Sequence, residues 1–178
     1  SHPRPILSGR MTITEPNSER AIPTNLLEQL RSNPPFALLS EQAWQAAVPE
    51  FQLRRFPMGR RLLRPDELPA EVLMLLSGEV RLLVPELASE DLFTLKRGQP
   101  GRLVGWSSLL RGFPCEAVYA ATDSVALAWP ADRFVACFIQ EKEFCAHFLQ
   151  RLDAHEAWST IQAWLSDLPV RRALSREK

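Results

Sequence analysis

Residues 105 to 117 read GWSSLLRGFPCEA, and the order of residue types is typical of a small ligand-binding loop. A glycine opens the stretch, serine and leucine pairs follow, and a second glycine and a proline lead back to apolar chain. The backbone N–H groups at the start of a short helix attract anions. Ser107 and Ser108 therefore either line a small pocket for an anion or polar metabolite, or merely cap that helix.

The chain on both sides of this stretch is patterned as short β-strands. From about Phe51 to Pro130, strand-length apolar segments are separated by Gly, Pro, Asp, Asn or Ser clusters every eight to twelve residues. This spacing is typical of a β-sandwich or jelly roll rather than of alternating βαβ units. The SGEV tetrapeptide at 77–80 predicts a tight hairpin turn, because Gly78 adopts a positive φ at little cost.

Helical periodicity precedes the β region. The segment TNLLEQLRSN predicts a helix with Thr24 as its cap, and LLSEQAWQAAV predicts a second one that is capped by Ser40 and ended by Pro49.

Helical periodicity returns after the β region, in ADRFVACFIQ and then from about residue 141 to 168. Apolar residues in the longer run recur at spacings of three or four with one gap, and predict a single long helix with an apolar stripe. The stripe residues are Phe144, Phe148, Leu152, Trp158, Ile161 and Leu165. The stripe either packs on its own domain or forms a dimer seam.

Composition limits the classes of partner. The 178 residues, 46% hydrophobic and 24% charged, suit one globular domain, and the 21 basic and 21 acidic side chains leave no net field toward nucleic acid. The apolar runs are shorter than the roughly 20 residues of a membrane helix, so we expect no membrane insertion. Three cysteines without repeated spacing indicate a reducing, cytoplasmic setting and argue against disulfides or structural zinc.

We divide the chain into four parts. Residues 1–10, which precede Met11, look like an expression remnant, and residues 11–35 form a lead-in. Residues 36–168 are the folded domain, and we expect the basic segment 169–178 to link to a missing downstream domain.

The order of these elements resembles the cyclic nucleotide-binding domain over roughly residues 36–165. The segments that carry the resemblance are LLSGEVRLL at 75–83, QPGRLVG at 99–105, the phosphate cassette GWSSLLRGFPCEA, and WPADRF, in which Phe134 is the usual anchor of the next helix. The resemblance implies a mainly β fold: an eight-stranded β-roll (a jelly roll, or double-stranded β-helix) with an N-terminal helix and two C-terminal helices.

Two cassette positions depart from the members that bind cAMP. In those members a glutamate follows the cassette glycine and holds the ribose, and an arginine follows the cassette proline and pairs with the phosphate; here the positions are Trp106 and Cys115. Hydrogen bonds to charged groups contribute roughly 1.5 to 3 kcal/mol each, so losing both implies loss of cAMP and cGMP recognition. We further predict that the Trp106 indole fills the pocket of the roll in place of the ribose.

The altered cassette itself resembles the N-terminal domain of some bacterial peptidase-containing ABC exporters, which act in type I secretion of peptides. This resemblance implies a cytoplasmic regulatory domain at the inner membrane. Its expected partners are the peptidase, transmembrane and ATPase parts of the same polypeptide, and a second copy through the C-terminal helix.

The candidate binding residues are those of the altered cassette: Gly105, Trp106, Ser107, Ser108, Cys115 and Glu116. We predict no catalytic residue, cofactor or metal ligand, because no nucleophile–base set emerges and residues two apart on a helix, such as Cys145 and His147, point about 200° apart. Two alternatives stay open: a sensor of a different small ligand, and the effector domain of a catabolite-activator-type transcription regulator, which needs a DNA-reading helix after the long helix.

Overall fold

Two four-stranded antiparallel sheets form the centre of the molecule. The computed structural model describes residues 22–85 and 91–167. The strands are β1 (Gln52–Phe56), β2 (Arg61–Leu63), β3 (Glu71–Ser77), β4 (Val80–Pro85), β5 (Leu92–Gly98), β6 (Leu103–Val104), β7 (Ala117–Ala120) and β8 (Ser124–Pro130). Their orders are β1-β8-β3-β6 and β2-β7-β4-β5. The predicted β-roll with flanking helices is confirmed.

The sheet that contains β3 is covered on both faces. Leu73 and Leu75 of β3 belong to the interior apolar cluster that both sheets share. Val72 and Met74, on the opposite face of the strand, belong to the cluster beneath the helices. Alternate residues of a strand point to opposite faces, so burial on both sides explains why β3 reads as a continuous apolar run.

The SGEV turn is a corner between the two sheets, so the prediction of a hairpin is wrong. β3 pairs with β6 and β8, whereas β4 pairs with β5 and β7. Gly78 does have the expected positive φ of 88°. A Cβ at Gly78 would lie 2.4 Å from the Ser124 side-chain oxygen, so close packing between the sheets also requires glycine here.

Two helices precede the roll. The first, α1 (Thr24–Arg31), has Pro23 at its N-cap, so Thr24 is its first helical residue and not its cap. The second, α2 (Glu41–Ala47), begins as predicted, with Ser40 Oγ accepting a hydrogen bond from the Ala43 N–H at 3.2 Å. The chain then turns through a short 3₁₀ helix at Val48–Glu50 into β1.

Four helices follow the start of the roll: α3 (Trp106–Arg111), α4 (Ala131–Gln140), α5 (Lys142–Leu149) and α6 (Ala154–Asp167). The prediction of one uninterrupted helix over 141–168 is wrong, because residues 150–153 separate α5 from α6. Asp153 accounts for the restart: its carboxylate accepts the His155 N–H at 3.1 Å, as an N-cap side chain does. None of the helices in the described ranges is both long and apolar enough to cross a bilayer.

An aromatic cluster joins these helices to the outer face of the sheet. Its members are Phe36, Trp44, Phe51, Trp106, Trp129, Phe134, Phe144 and Phe148. Phe134 is fully buried and its ring centroid lies 5.3 to 5.7 Å from those of Trp129, Phe144 and Phe148. Its predicted role as the anchor of α4 is confirmed.

Candidate functional site

The cassette helix α3 is bounded by two glycines in left-handed conformations. Gly105 precedes the helix with φ 95°, and Gly112 ends it with φ 65°. A Cβ at Gly105 would lie 3.1 Å from the backbone oxygen of Glu71, whereas one at Gly112 would meet nothing within 4 Å. The first end is therefore packed against the roll, and the second is open.

The N-terminus of α3 is occupied by a side chain of the cassette itself. The Glu116 carboxylate accepts the Gly105 N–H at 2.9 Å through Oε1. Its Oε2 accepts the Ser108 N–H at 3.3 Å and the Ser108 hydroxyl at 2.7 Å. These N–H groups are the ones that a helix N-terminus offers to a bound anion. Ser108 therefore helps to hold Glu116 at the start of the helix.

Burial is the main influence on the Glu116 carboxyl. It raises the pKa of Glu116 above its ordinary value, and the nearby charge of Asp153 raises it further. The hydrogen bonds from Ser108 and Gly105 act in the opposite direction and favour the ionised form. An acidic group is therefore held inside the fold at the point where the cassette would receive an anionic ligand.

Trp106 is buried, as predicted, but not inside the roll. Its ring centroid lies 5.1 Å from that of Phe148 on α5, and it belongs to the aromatic cluster. It is absent from the interior cluster that the two sheets share. The prediction that the indole fills the roll's pocket is wrong, because the first residue of α3 faces the helices.

Cys115 supplies no positive charge to the cassette. Its thiol lies 3.4 Å from the Ser108 hydroxyl, and its N–H donates to that same oxygen at 3.3 Å. Burial raises the pKa of the Cys115 thiol, and the Glu116 charge raises it as well. The thiol therefore stays neutral near pH 7.

The structure adds three residues that sequence reasoning did not place at the site: Arg102, Asp153 and His155. The Asp153 carboxylate accepts hydrogen bonds from the Arg102 guanidinium at 3.2 Å and from the Ser107 hydroxyl at 3.3 Å. Asp153 lies just before α6, so this helix begins directly beside the cassette. We define the polar cluster as Arg102, Ser107, Ser108, Glu116, Asp153 and His155.

His155 is the member of the polar cluster with an incomplete set of partners. Its Nε2 lies 3.0 Å from the backbone oxygen of Leu83, in β4. Its Nδ1 lies 3.7 Å from Oδ2 of Asp153 and is buried without a hydrogen-bond partner. The prediction of an unbroken helix concealed this group, and the signals that could have found it are the gap in the apolar stripe and the aspartate there, a preferred N-cap residue.

Two surface grooves of the described chain lie away from the cassette. One is lined by Arg60, Arg61, Tyr119 and their neighbours, and the other runs between residues 37–40 and 141–143.

The profile of the cyclic nucleotide-binding domain family matches residues 53–141, which include the cassette and Phe134. The chain belongs to this family. No curated protein matches it by sequence.

Solved structures share the fold at low sequence identity. A cAMP-bound triple mutant of the regulatory subunit of a cAMP-independent protein kinase A from Trypanosoma brucei is 16% identical, with a TM-score of 0.64 over 77% of this chain and 50% of that one. The sensor domain of the transcriptional regulator DNR from Pseudomonas aeruginosa is 15% identical, with a TM-score of 0.60 over 70% and 88%. The catabolite activator protein of Thermus thermophilus is 23% identical, with a TM-score of 0.50 over 78% and 61%.

These neighbours are regulatory, sensor or activator proteins. The chain spans only half the length of the kinase subunit, so the neighbours establish its fold and not the activity of any longer protein.

Proposed function

We propose that this domain is a non-catalytic regulatory or interaction module whose cassette does not bind cAMP or cGMP, and that it works as part of a bacterial peptidase-containing ABC exporter. The position of Glu116 is the main evidence that the cassette does not bind cAMP or cGMP. Its carboxylate takes the N–H groups of Gly105 and Ser108 at the start of the cassette helix. A cyclic phosphate would have to displace this carboxylate and leave it buried without those donors, which is costly.

The charges around the cassette also disfavour a phosphate. Glu116 and Asp153 are both acidic and buried, and the nearby Arg102 is already paired with Asp153 at 3.2 Å. Cys115 stands where the family places an arginine. A second anion at this position therefore meets like charge and no free cation among the cluster residues.

The exporter context is supported by the cassette alone, through the resemblance of GWSSLLRGFPCEA to the N-terminal domain of such exporters. In that setting the domain lies at the cytoplasmic face of the inner membrane and contacts the peptidase, transmembrane or ATPase parts. The reading frame of the gene tests this assignment. A cysteine peptidase and transmembrane segments downstream would agree with it, and a helix-turn-helix would contradict it.

Calorimetry with cAMP and cGMP tests the cassette. We expect no saturable heat, and no thermal shift at concentrations where a true ligand at 100 times its Kd would add about 2.7 kcal/mol of stability. A saturable signal from the unmodified chain would contradict the proposal.

A restored cassette provides the positive arm of the same experiment. The double variant Cys115→Arg and Glu116→Ala supplies the phosphate anchor of the family and removes the internal carboxylate, so we expect it to gain cAMP binding. The cAMP-bound relative with three substitutions, one of which introduces an arginine, supports this design. The matched control is Phe113→Arg, which adds the same charge at an exposed position of the cassette and should gain nothing.

A sensor of a different ligand is the second candidate, and the polar cluster favours it. Ser107, Asp153 and His155 are buried beside the cassette, where a mere scaffold gains little from so many polar groups. Native mass spectrometry of the protein purified from bacterial cells tests this candidate. A stoichiometric organic adduct would support it, and a spectrum of the bare chain would weigh against it.

A further inference from the structure

Three buried side chains from two segments of the chain meet between the cassette and α6. Glu116 lies two residues after the cassette proline. Asp153 directly precedes α6, and His155 lies in the first turn of α6. They are 1%, 5% and 1% exposed. One ligand atom from each lies within 4.8 Å of the other two. In a tetrahedral site with bonds of about 2.0 to 2.2 Å, ligand atoms lie about 3.4 Å apart, so small side-chain rotations bring this set to bonding distance.

The Nδ1 atom of His155 is an independent indication of a ligand. It is buried, has no hydrogen-bond partner and lies 3.7 Å from the Asp153 carboxylate. Because Nε2 faces the Leu83 carbonyl at 3.0 Å, the ring tautomer with its proton on Nε2 satisfies this contact and leaves a lone pair on Nδ1 for a ligand. A metal-binding histidine generally has this arrangement, with its second ring nitrogen donating to a carbonyl or a carboxylate.

The two carboxylates are oriented by hydrogen bonds in the same manner. The Ser108 hydroxyl donates to Glu116 at 2.7 Å. The Ser107 hydroxyl and the Arg102 guanidinium donate to Asp153 at 3.3 and 3.2 Å. Hydrogen-bond partners of this kind orient the ligands of a metal site.

Charge in this cluster is incompletely balanced. Two buried carboxylates lie close together, and Arg102 balances only one of them. A divalent cation would supply the missing positive charge and would bind the Nδ1 atom of His155, which has no hydrogen-bond partner.

We propose that Glu116, Asp153 and His155 bind one divalent transition-metal ion of the Zn²⁺ class. An imidazole with two carboxylates suits Zn²⁺ and its first-row neighbours. Ca²⁺ and Mg²⁺ prefer six or more oxygen ligands, and a buried site of three side chains that includes a ring nitrogen does not supply them. The ion would connect α6 to the cassette. This inference departs from the sequence expectation of no metal and does not rest on the proposed function.

Zinc titration of the whole chain tests the site. The parent for this test carries His2→Gln and His147→Gln, so that His155 is its only histidine. After removal of metal with a chelator, we expect calorimetry and elemental analysis to give one zinc ion per chain.

The informative variants are His155→Gln, which keeps a donor for the Leu83 carbonyl, and Glu116→Gln, which keeps the shape of the cap. Each should weaken zinc binding by about 100-fold or more, since each removes a direct ligand. The control is Glu156→Gln, an identical change next to His155, which should leave the affinity unchanged. Absence of saturable binding, or binding that His155→Gln and Glu116→Gln leave intact, would overturn the proposal.

Cobalt spectroscopy of the same parent needs no change at the site and covers the case in which a variant fails to fold. Co²⁺ bound by nitrogen and oxygen should give visible bands of a low-coordinate site without a thiolate charge-transfer band. A thiolate band, which would place the metal on a cysteine, or a spectrum of free aqueous cobalt would overturn the assignment. Cyclic nucleotide titrations are read separately, so failure of either proposal leaves the other one standing.

Discussion

The cassette helix α3 separates two buried clusters of opposite chemistry. On one side Trp106 packs against Phe148 as part of the aromatic cluster. On the other side Ser107 and Ser108 donate hydrogen bonds to Asp153 and Glu116 of the polar cluster. One short helix therefore contributes both to the aromatic cluster, which packs the helices against the roll, and to the polar cluster.

The difference between the clusters concerns how each tolerates change. Apolar contacts are non-directional and approximately proportional to buried area, so the aromatic cluster supplies stability and admits other large apolar residues. Buried polar groups need partners of correct geometry, so the polar cluster is sensitive to the loss of any one member. We infer that the aromatic cluster maintains the family fold, whereas the polar cluster determines what the cassette accepts.

The largest stability loss is expected in the aromatic cluster. Phe134→Ala removes a fully buried ring that contacts three other rings, and should lower the free energy of unfolding by about 3–5 kcal/mol. Urea denaturation measures the change. The control is Phe113→Ala, at a 58% exposed position, where we expect a change within about 0.5 kcal/mol. Equal losses in the two variants would mean that Phe134 is not the anchor of the helices.

Substitutions in the polar cluster should lower the stability less, but the loss should depend more strongly on which polar group is kept. Asp153→Ala leaves Arg102, the Ser107 hydroxyl and the His155 N–H without their acceptor, and should cost about 2–3 kcal/mol in the presence of a chelator. Asp153→Asn keeps a side-chain acceptor of the same shape and should cost clearly less. If the two variants unfold at the same urea concentration, a neutral acceptor of the same shape is no better than alanine, and the expected contrast between the clusters fails.

The two ends of α3 offer a matched pair of glycines. Both have positive φ, but a Cβ at Gly105 would lie 3.1 Å from the Glu71 oxygen and one at Gly112 would meet nothing within 4 Å. Gly112→Ala should therefore cost about 1 kcal/mol of backbone strain, and Gly105→Ala about 2 kcal/mol. Thermal denaturation ranks them, and the reverse order would show that the packed end is not the one beside the polar cluster.

An exposed polar contact provides a weaker counterpart to the polar cluster. Glu141, between α4 and α5, accepts hydrogen bonds from the Ser40 hydroxyl at 2.5 Å and the Ser40 N–H at 2.7 Å, which lower the pKa of Glu141. Because the folded chain holds the ionised form more strongly than the unfolded chain does, this contribution is present above the ordinary glutamate value and is lost as the pH falls through the lowered pKa. In Glu141→Gln, the free energy of unfolding should therefore fall slightly less steeply as the pH is lowered through the acid range. An unchanged limb would contradict the assignment.

The aromatic cluster was largely predictable from the sequence, and the polar cluster was not. The spacing of Phe144 and Phe148 and the position of Phe134 in WPADRF indicate a buried helical face, because apolar burial leaves a periodic pattern. Asp153 lies 46 residues beyond Ser107, which it contacts, and His155 lies 72 residues beyond Leu83. No local period connects residues across those distances.

Other differences have local causes. The SGEV segment has the residues of a hairpin turn, but sequence spacing does not tell whether two successive strands pair or move to opposite sheets. The position of Trp106 was mistaken because the family pattern fixes where a residue lies in the cassette and not which way a different side chain turns. Glu116 was identified as a cassette residue, yet its role at the helix N-terminus depends on the fold of the loop between Gly112 and β7.

The apolar side chains of α6 are divided between a packed and an exposed position, so their expected effects on folding differ. Trp158 donates a hydrogen bond to the Pro85 carbonyl at 3.2 Å and packs against Phe93, whereas Trp164 is 63% exposed. Trp158→Ala should lower the stability by about 1–2 kcal/mol, and Trp164→Ala should leave it within about 0.5 kcal/mol.

The dimer through the C-terminal helix stays a prediction, and the same pair of variants tests it. If α6 pairs with a second copy through its exposed face, Trp164→Ala should weaken association in sedimentation velocity without altering the urea midpoint of the monomer. A parent that sediments as a monomer at every concentration would end the dimer hypothesis, and a destabilised Trp164→Ala would show that this indole belongs to the core.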